Sequence, residues 1–192
     1  LVDANPNHVS CILSNLVVTG ALSMSRITLG FDSLKTNHGV TVMQGRAVAI
    51  DAPGNTLTVS TSSGNKVLPY DHLVLSPGID FMSDQIGGLP GALDSGRVLH
   101  SWKAGPQTVA LRKQIEAMPD GGVFAMFIPK APYRCPPGPY ERISQIAFLL
   151  KKRNPTAKLI AFDANPEIQS KKGLFEAAWK SLGGVPLILE GF

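Results

Sequence analysis

With 192 residues, 44% of them hydrophobic and 17% charged, the chain has the composition of a folded protein with a sizeable core, which excludes a disordered segment. The formal net charge of +4 is scattered, with Lys151-Lys152-Arg153 and Lys171-Lys172 as short solvated clusters, so no nucleic-acid groove of basic and aromatic residues is expected. No apolar run approaches the roughly 18 residues that span a bilayer, and two cysteines neither build a disulfide framework nor decide the redox compartment.

Leu1-Val2-Asp3-Ala4-Asn5-Pro6-Asn7 reads as the end of a strand closed by an acid and a turn. Gly39 to Asp51 reads as a strand that bends at Gly45. Asn55-Thr56-Leu57-Thr58-Val59-Ser60 and Lys66-Val67-Leu68-Pro69-Tyr70 flank a Ser-Ser-Gly-Asn turn at 62–65, which predicts a hairpin. Asp71 to Gly78 is then expected as a buried strand stopping on the small-residue turn Ser76-Pro77-Gly78. Gln107 to Met118 predicts a helix, and Pro119-Asp120-Gly121-Gly122 breaks it.

The apolar run Gly122-Val123-Phe124-Ala125-Met126-Phe127-Ile128 has the length and continuity of a strand buried on both faces of a parallel sheet. Tyr140 to Arg153 predicts a helix with Ile143, Ile146, Ala147, Leu149 and Leu150 inward and Arg142, Lys151, Lys152 and Arg153 facing water. Asn154-Pro155 stops it. Lys158 to Asp163 returns as a second strand, completing a strand, loop, helix, strand unit.

In a dinucleotide-binding unit the first loop would be G-x-G-x-x-G, because backbone N–H groups must approach the pyrophosphate. Here Pro129 to Pro139 carries five prolines, one glycine and Cys135, so most of those donors are missing. Thiol chemistry is expected there instead.

The string Asp-Ala-Asn-Pro occurs twice, at Asp3 and at Asp163, each time closing a strand where an acid would hydrogen-bond ribose hydroxyls. Two copies predict two halves, with the first strand, glycine-rich turn and helix of the first half, about 30 residues, expected upstream of Leu1. The fold class that follows is α/β, with two Rossmann-like domains of the glutathione-reductase type, both incomplete, and an antiparallel hairpin inserted in the first. The boundary is expected near Gly105, giving 1–105 and 106–192 as two partial domains, the second carrying Cys135. His8, His38, His72 and His100 show no metal-ligand spacing, and no metal site is expected.

Val9-Ser10-Cys11-Ile12-Leu13-Ser14-Asn15, Tyr70 to Ile79, His100-Ser101-Trp102-Lys103-Ala104-Gly105-Pro106-Gln107-Thr108 and Tyr133 to Arg142 together resemble the flavoprotein subunit of flavocytochrome c sulfide dehydrogenase. That family belongs to the FAD- and NAD(P)-linked disulfide oxidoreductase superfamily. The resemblance runs over essentially the whole chain, and the family continues beyond Phe192.

The resemblance implies FAD attached through its 8α-methyl group to Cys11, with Asp3, Asn5, Val48, Ser76, Pro77 and Gly78 as further cofactor-binding residues. It implies that Cys135 is the first cysteine of a sulfide-oxidising disulfide whose second member lies beyond Phe192, with Glu141 as a nearby catalytic acid. A c-type cytochrome subunit as haem-bearing partner, sulfide as substrate and a periplasmic location follow from it in the same way. Each residue keeps a plainer alternative. Cys11 could be a small buried hydrophobe, Cys135 a structural thiol or the partner of Cys11, Asp3 a turn residue, and Glu141 an acid favoured by the helix dipole alone. A sulfide:quinone oxidoreductase and an inactive scaffold fragment stand as alternative functions.

Overall fold

The computed structural model describes residues 1–182 and the backbone of 187–191. Packing divides the chain into two compact units, Leu1–Val9 with Thr28–Asp94, and Ser10–Ile27 with Ser95–Phe192. The boundary expected near Gly105 follows the order of the sequence. The packing instead places Ser10–Ile27, and Cys11 with it, in the second unit.

In the first unit, β1 (Val2–Asp3) pairs in parallel with β4 (Met43–Gln44), which sets Asp3 opposite Gln44 at a strand end. A short antiparallel ribbon of β2 (Asn7–Val9) and β3 (Thr28–Gly30) leads into helix α3 (Asp32–His38). Gly39 ends that helix in the left-handed region, φ 64°, where glycine has no steric penalty. The largest element is a meander of β5 (Arg46–Asp51), β6 (Thr56–Thr61) and β7 (Gly64–Pro69), with β6 in the middle. Alternation in β6 buries Leu57 and Val59 on one face. Short helix α4 (Leu89–Asp94) closes the unit in sequence.

The hairpin and the bend at Gly45 match the expectation. The strand expected at Asp71–Gly78 does not form: the segment is irregular, with Val74 86% and Leu75 61% exposed. Apolar composition suits a strand, but only a neighbouring strand can satisfy its N–H and C=O groups, and no described strand pairs with this segment.

The second unit is built on a parallel sheet, β8 (Val123–Ile128), β9 (Lys158–Asp163) and β10 (Leu187–Gly191), with β9 central. Helix α6 (Gly138–Arg153) makes the crossover from β8 to β9; Asn154 caps its end with its backbone N–H donating to the Leu150 carbonyl, and its side-chain amide donates to the Pro119 carbonyl at 2.8 Å. Around it stand α1 (Ser14–Val18), α2 (Met24–Ile27), α5 (Pro106–Glu116) and α7 (Lys172–Leu182). One core joins them, with Val18, Leu111, Ile128, Tyr140, Ile143, Ile146, Leu150 and Leu159 all buried. The strand, loop, helix, strand reading of 122–163 is therefore the observed topology. Among the described residues no helix is long and apolar enough to cross a membrane.

Gly45 separates β4 from β5 where β6 passes close. A Cβ there would lie 2.6 Å from Val59 Cγ1 and 2.8 Å from the Ser60 carbonyl oxygen, so Gly45→Ala should destabilise the first unit by about 1–3 kcal/mol in urea unfolding.

Candidate functional site

The loop between β8 and α6 has few N–H donors of its own, so its shape is imposed from outside. Asn165 does this: its Oδ1 accepts from Ala131 N at 2.8 Å and its Nδ2 donates to the Pro129 carbonyl at 3.0 Å. Asn165 is itself fixed by Asp163, whose Oδ1 accepts from Asn165 N at 3.0 Å and Nδ2 at 2.7 Å. The second carboxylate oxygen of Asp163 accepts the Tyr140 hydroxyl at 2.7 Å. Burial first, with the hydrogen bond to Asp163 adding to it, holds the Tyr140 phenol far above the usual tyrosine range. Its ring packs on Phe175 and Trp179, at centroid distances of 5.7 and 6.4 Å.

At the tip of this loop Cys135 is exposed, free, and in the left-handed region with φ 59°. That conformation is costly for a residue with a Cβ and tends to persist at functional positions. The Cys135 carbonyl accepts from Gly138 N at 2.8 Å, and a Cβ on Gly138 would stand 3.2 Å from Cys135 Sγ. The sulfur thus lies against the first residue of α6, where glycine leaves room for it. Tyr133 in the same loop has a buried hydroxyl without a well-formed hydrogen bond, and burial raises its pKa. Glu141 follows in the first turn of α6, exposed, its carboxylate free of ion pairs among the described residues.

The other thiol, Cys11, is also exposed and free, in the turn before α1. No disulfide joins it to Cys135. The Cys11 carbonyl accepts from Ser14 Oγ at 2.6 Å and Ser14 N at 3.1 Å. Arg142 reaches across from α6 to donate to Ser14 Oγ at 2.9 Å and to the Ser101 carbonyl at 3.0 Å. Sequence periodicity set Arg142 facing water, yet it is 5% exposed. The helix face that carries it packs on α1, and the oxygens of Ser14 and Ser101 replace water. Burial pushes its pKa down to about 10 from 12.5, a cost on the order of 3 kcal/mol for keeping it charged.

Beside this turn lies a cavity of about 380 Å³, walled by Ile12, Leu13, Asn15 and Leu16 on one side and by Glu141, Ser144, Leu174 and Phe175 on the others. The Asn15 amide oxygen is buried without a hydrogen bond. The structure therefore brings the Cys11 turn and Glu141 to one cavity.

The first unit holds the remaining candidates. Asp3 repeats the turn of Asp163: its Oδ1 accepts from Asn5 N at 2.8 Å and Nδ2 at 3.2 Å. Here the second oxygen has no hydrogen bond among the described residues. Asp3 thus offers an open acceptor at a strand end, which fits a ribose diol, while Asp163, 6% exposed with both oxygens engaged, does not. Val48 sits at the register shift between Ala47 and Ala49 in β5, where a bulge frees its backbone from the ladder. Ser76, Pro77 and Gly78 lie exposed in the irregular segment, Gly78 with φ 77°. No cluster of three or more His, Cys, Asp or Glu able to hold a metal occurs among the described residues.

Residues 108–188, which include Cys135, Glu141, Arg142 and Asp163, match the family model for the central part of the sulfide dehydrogenase [flavocytochrome c] flavoprotein chain. The match covers less than half of the chain, which over that segment is similar to the central part of this flavoprotein family. Its fold resembles the sulfide:quinone oxidoreductase of Aquifex aeolicus, with TM-score 0.71 and 18% identity over 100% of this chain and 46% of that one. It also resembles a NAD-dependent persulfide reductase from A. fulgidus, with TM-score 0.65 and 14% identity over 99% and 35%. NDH2 from Plasmodium falciparum, solved with NADH, gives TM-score 0.71 and 12% identity over 98% and 42%. At these identities the likeness shows the α/β fold, and this chain spans less than half the length of each.

Sequence reading did not find Tyr140, Arg142 and Asn165 as parts of the site. Asn165 had a signal in the repeated Asp-Ala-Asn-Pro string; the other two look like ordinary helix residues until their partners are known.

Two outcomes follow. Asn165→Ala strands the Ala131 N–H and the Pro129 carbonyl and removes the side-chain donor from Asp163, leaving the backbone one, so it should cost about 2–3 kcal/mol in denaturant unfolding and open the Ala131 amide to hydrogen exchange. His100 has a pKa below 6.5 through burial, then Lys103, with Arg142 adding to it. In acid the unfolded chain then binds this proton while the folded chain does not, so stability should fall as pH drops below 6.5. His100→Gln should flatten that part of the stability curve measured by thermal melts.

Proposed function

We propose that this chain is part of the flavoprotein subunit of an FAD-dependent sulfide dehydrogenase that passes electrons to a c-type cytochrome subunit. The observation that carries the reading is Cys135, an exposed thiol at a left-handed backbone angle in a loop whose start is braced by Asn165, inside the segment that matches the family model. A braced and exposed sulfur suits exchange chemistry, because attack on a disulfide depends on access to the sulfur. In this reading Cys135 pairs with a cysteine outside the chain. Sulfide adds to one sulfur of that pair, the S–S bond breaks, and a persulfide and a thiolate result. Glu141 takes or returns the proton as thiol and thiolate interchange.

FAD, held by Asp3, Asn5, Val48 and the Ser76-Pro77-Gly78 turn and joined covalently to Cys11, would supply the two-electron acceptor. A periplasmic location goes with the cytochrome partner. The division at 1–105 and 106–192 serves this reading as the cofactor-binding and redox parts of the sequence. Sulfide:quinone oxidoreductase is the second reading, supported by the likeness to the Aquifex aeolicus enzyme; the thiol at Cys11 favours the first.

Acid denaturation of the full-length protein separates them. The first reading expects yellow colour to stay with the polypeptide and a flavin mass on the Cys11 peptide, whereas flavin released to the supernatant removes the covalent assignment. Cys135→Ser in that protein should abolish flavin reduction by sulfide in anaerobic stopped-flow absorbance, and reduction at the normal rate would refute the role of Cys135.

A further inference from the structure

Gly138 opens α6 with no conformational need for glycine. Its φ is outside the left-handed region that Gly39 and Gly121 occupy, and within a helix glycine is less favourable than alanine. Its bare Cα leaves a notch. A Cβ there would lie 3.2 Å from Cys135 Sγ, 3.6 Å from Cys135 Cβ and 3.9 Å from Cζ3 of the Trp102 indole. The sulfur and the edge of the indole therefore border one small space, each within 4 Å of the same point. Hydrogen bonds on the residues just before Trp102 hold its segment in place. Arg142 on α6 donates to the Ser101 carbonyl at 3.0 Å, and His100 N donates to the Gln107 side-chain oxygen at 2.8 Å. The buried Arg142 thus ties the Trp102 segment to the helix whose head carries the notch.

Sulfide adds a single polarisable sulfur atom to a thiol, and such an atom packs well against an aromatic edge. We infer that the notch between Cys135, Gly138 and Trp102 is the seat for that atom, so that Cys135, rather than its partner cysteine, carries the persulfide. The inference rests on the proposed role of Cys135 as half of a redox disulfide. In the step, hydrosulfide attacks Cys135 Sγ from the notch. A new S–S bond forms there, the bond from Sγ to the partner sulfur breaks, and its electron pair leaves with the partner as a thiolate. The disulfide is the two-electron oxidant, and the attacking sulfur is what it oxidises. Attack and departure at sulfur run in line, so the partner leaves on the side away from Gly138.

The test uses this chain, whose two thiols are free, with Cys11 as the reference inside each molecule. Both cysteines are converted to mixed disulfides with dithionitrobenzoate and treated without oxygen with one equivalent of sodium sulfide per mixed disulfide. Iodoacetamide then traps the products, and the persulfide at each cysteine is counted by peptide mass. The parent chain should hold more persulfide on Cys135 than on Cys11. Gly138→Ala fills the notch and should lower the Cys135-to-Cys11 persulfide ratio about tenfold. Trp102→Ala removes the wall and should lower it about fivefold, whereas Trp102→Phe, which keeps an aromatic edge, should hold it within about twofold. Alkylation of the untreated thiols by iodoacetamide reports on the thiol alone, and its Cys135-to-Cys11 rate ratio should stay within about twofold in every variant. An unchanged persulfide ratio in Gly138→Ala overturns the inference, and so does a fall that the alkylation ratio matches, since that marks a displaced thiol rather than a lost seat. If Gly138→Ala loses its helical circular dichroism, Trp102→Ala against Trp102→Phe decides by the same two ratios. Should the ratios move as expected while Cys135→Ser in the full-length protein still lets sulfide reduce the flavin, the seat stands and the redox role of Cys135 falls.

Discussion

The Asp163 carboxylate, buried at the end of β9, accepts three hydrogen bonds, and through them it couples three parts of the second unit. Tyr140 brings the start of α6, Asn165 brings the chain that follows β9, and Asn165 in turn holds Pro129 and Ala131 at the start of the thiol loop. A carboxylate in a dry place needs donors, and charge-assisted bonds of this kind are the strong ones. The prolines make the arrangement necessary. Prolines stiffen the loop through their fixed φ angles and remove several of its backbone donors, and the Asn165 side chain ties it down at Pro129 and Ala131. The left-handed Cys135 sits within that bracing.

Local pattern predicted the parts of the fold whose causes are local. The β8, α6 and β9 unit was legible because its apolar run, its three- and four-residue periodicity and Asn154-Pro155 all act within a few residues of where they are read. The β6 and β7 hairpin was legible for the same reason. Asp71–Gly78 was misread because a strand is completed by a partner, and partners are not written in the segment itself. Ser10–Ile27 joins the second unit because α1 packs on α5 and α6, contacts between residues far apart in sequence.

The candidate site divides along the same line. Cys135 stood out because proline and cysteine occupy a place where glycine is the physical norm, and Asp3 and Asp163 stood out because a four-residue string recurs. Arg142 was hidden, since a basic residue on an amphipathic helix ordinarily faces water, and its acceptors come from residues 14 and 101. Both thiols are exposed and free, so chemistry at either is limited by approach and by the field around the sulfur rather than by burial.

The two Asp-Ala-Asn-Pro turns share their backbone-to-carboxylate bonds and differ in the fate of one oxygen. In the first copy that oxygen is open; in the second it is held by Tyr140. In the language of competition, the phenol is an inhibitor covalently built into the chain, present at an effective concentration that no diffusing diol can match. A sugar hydroxyl arriving at Asp163 would have to displace a partner that never leaves, so the same four-residue turn that can serve as a receptor in one unit serves as a fastener in the other.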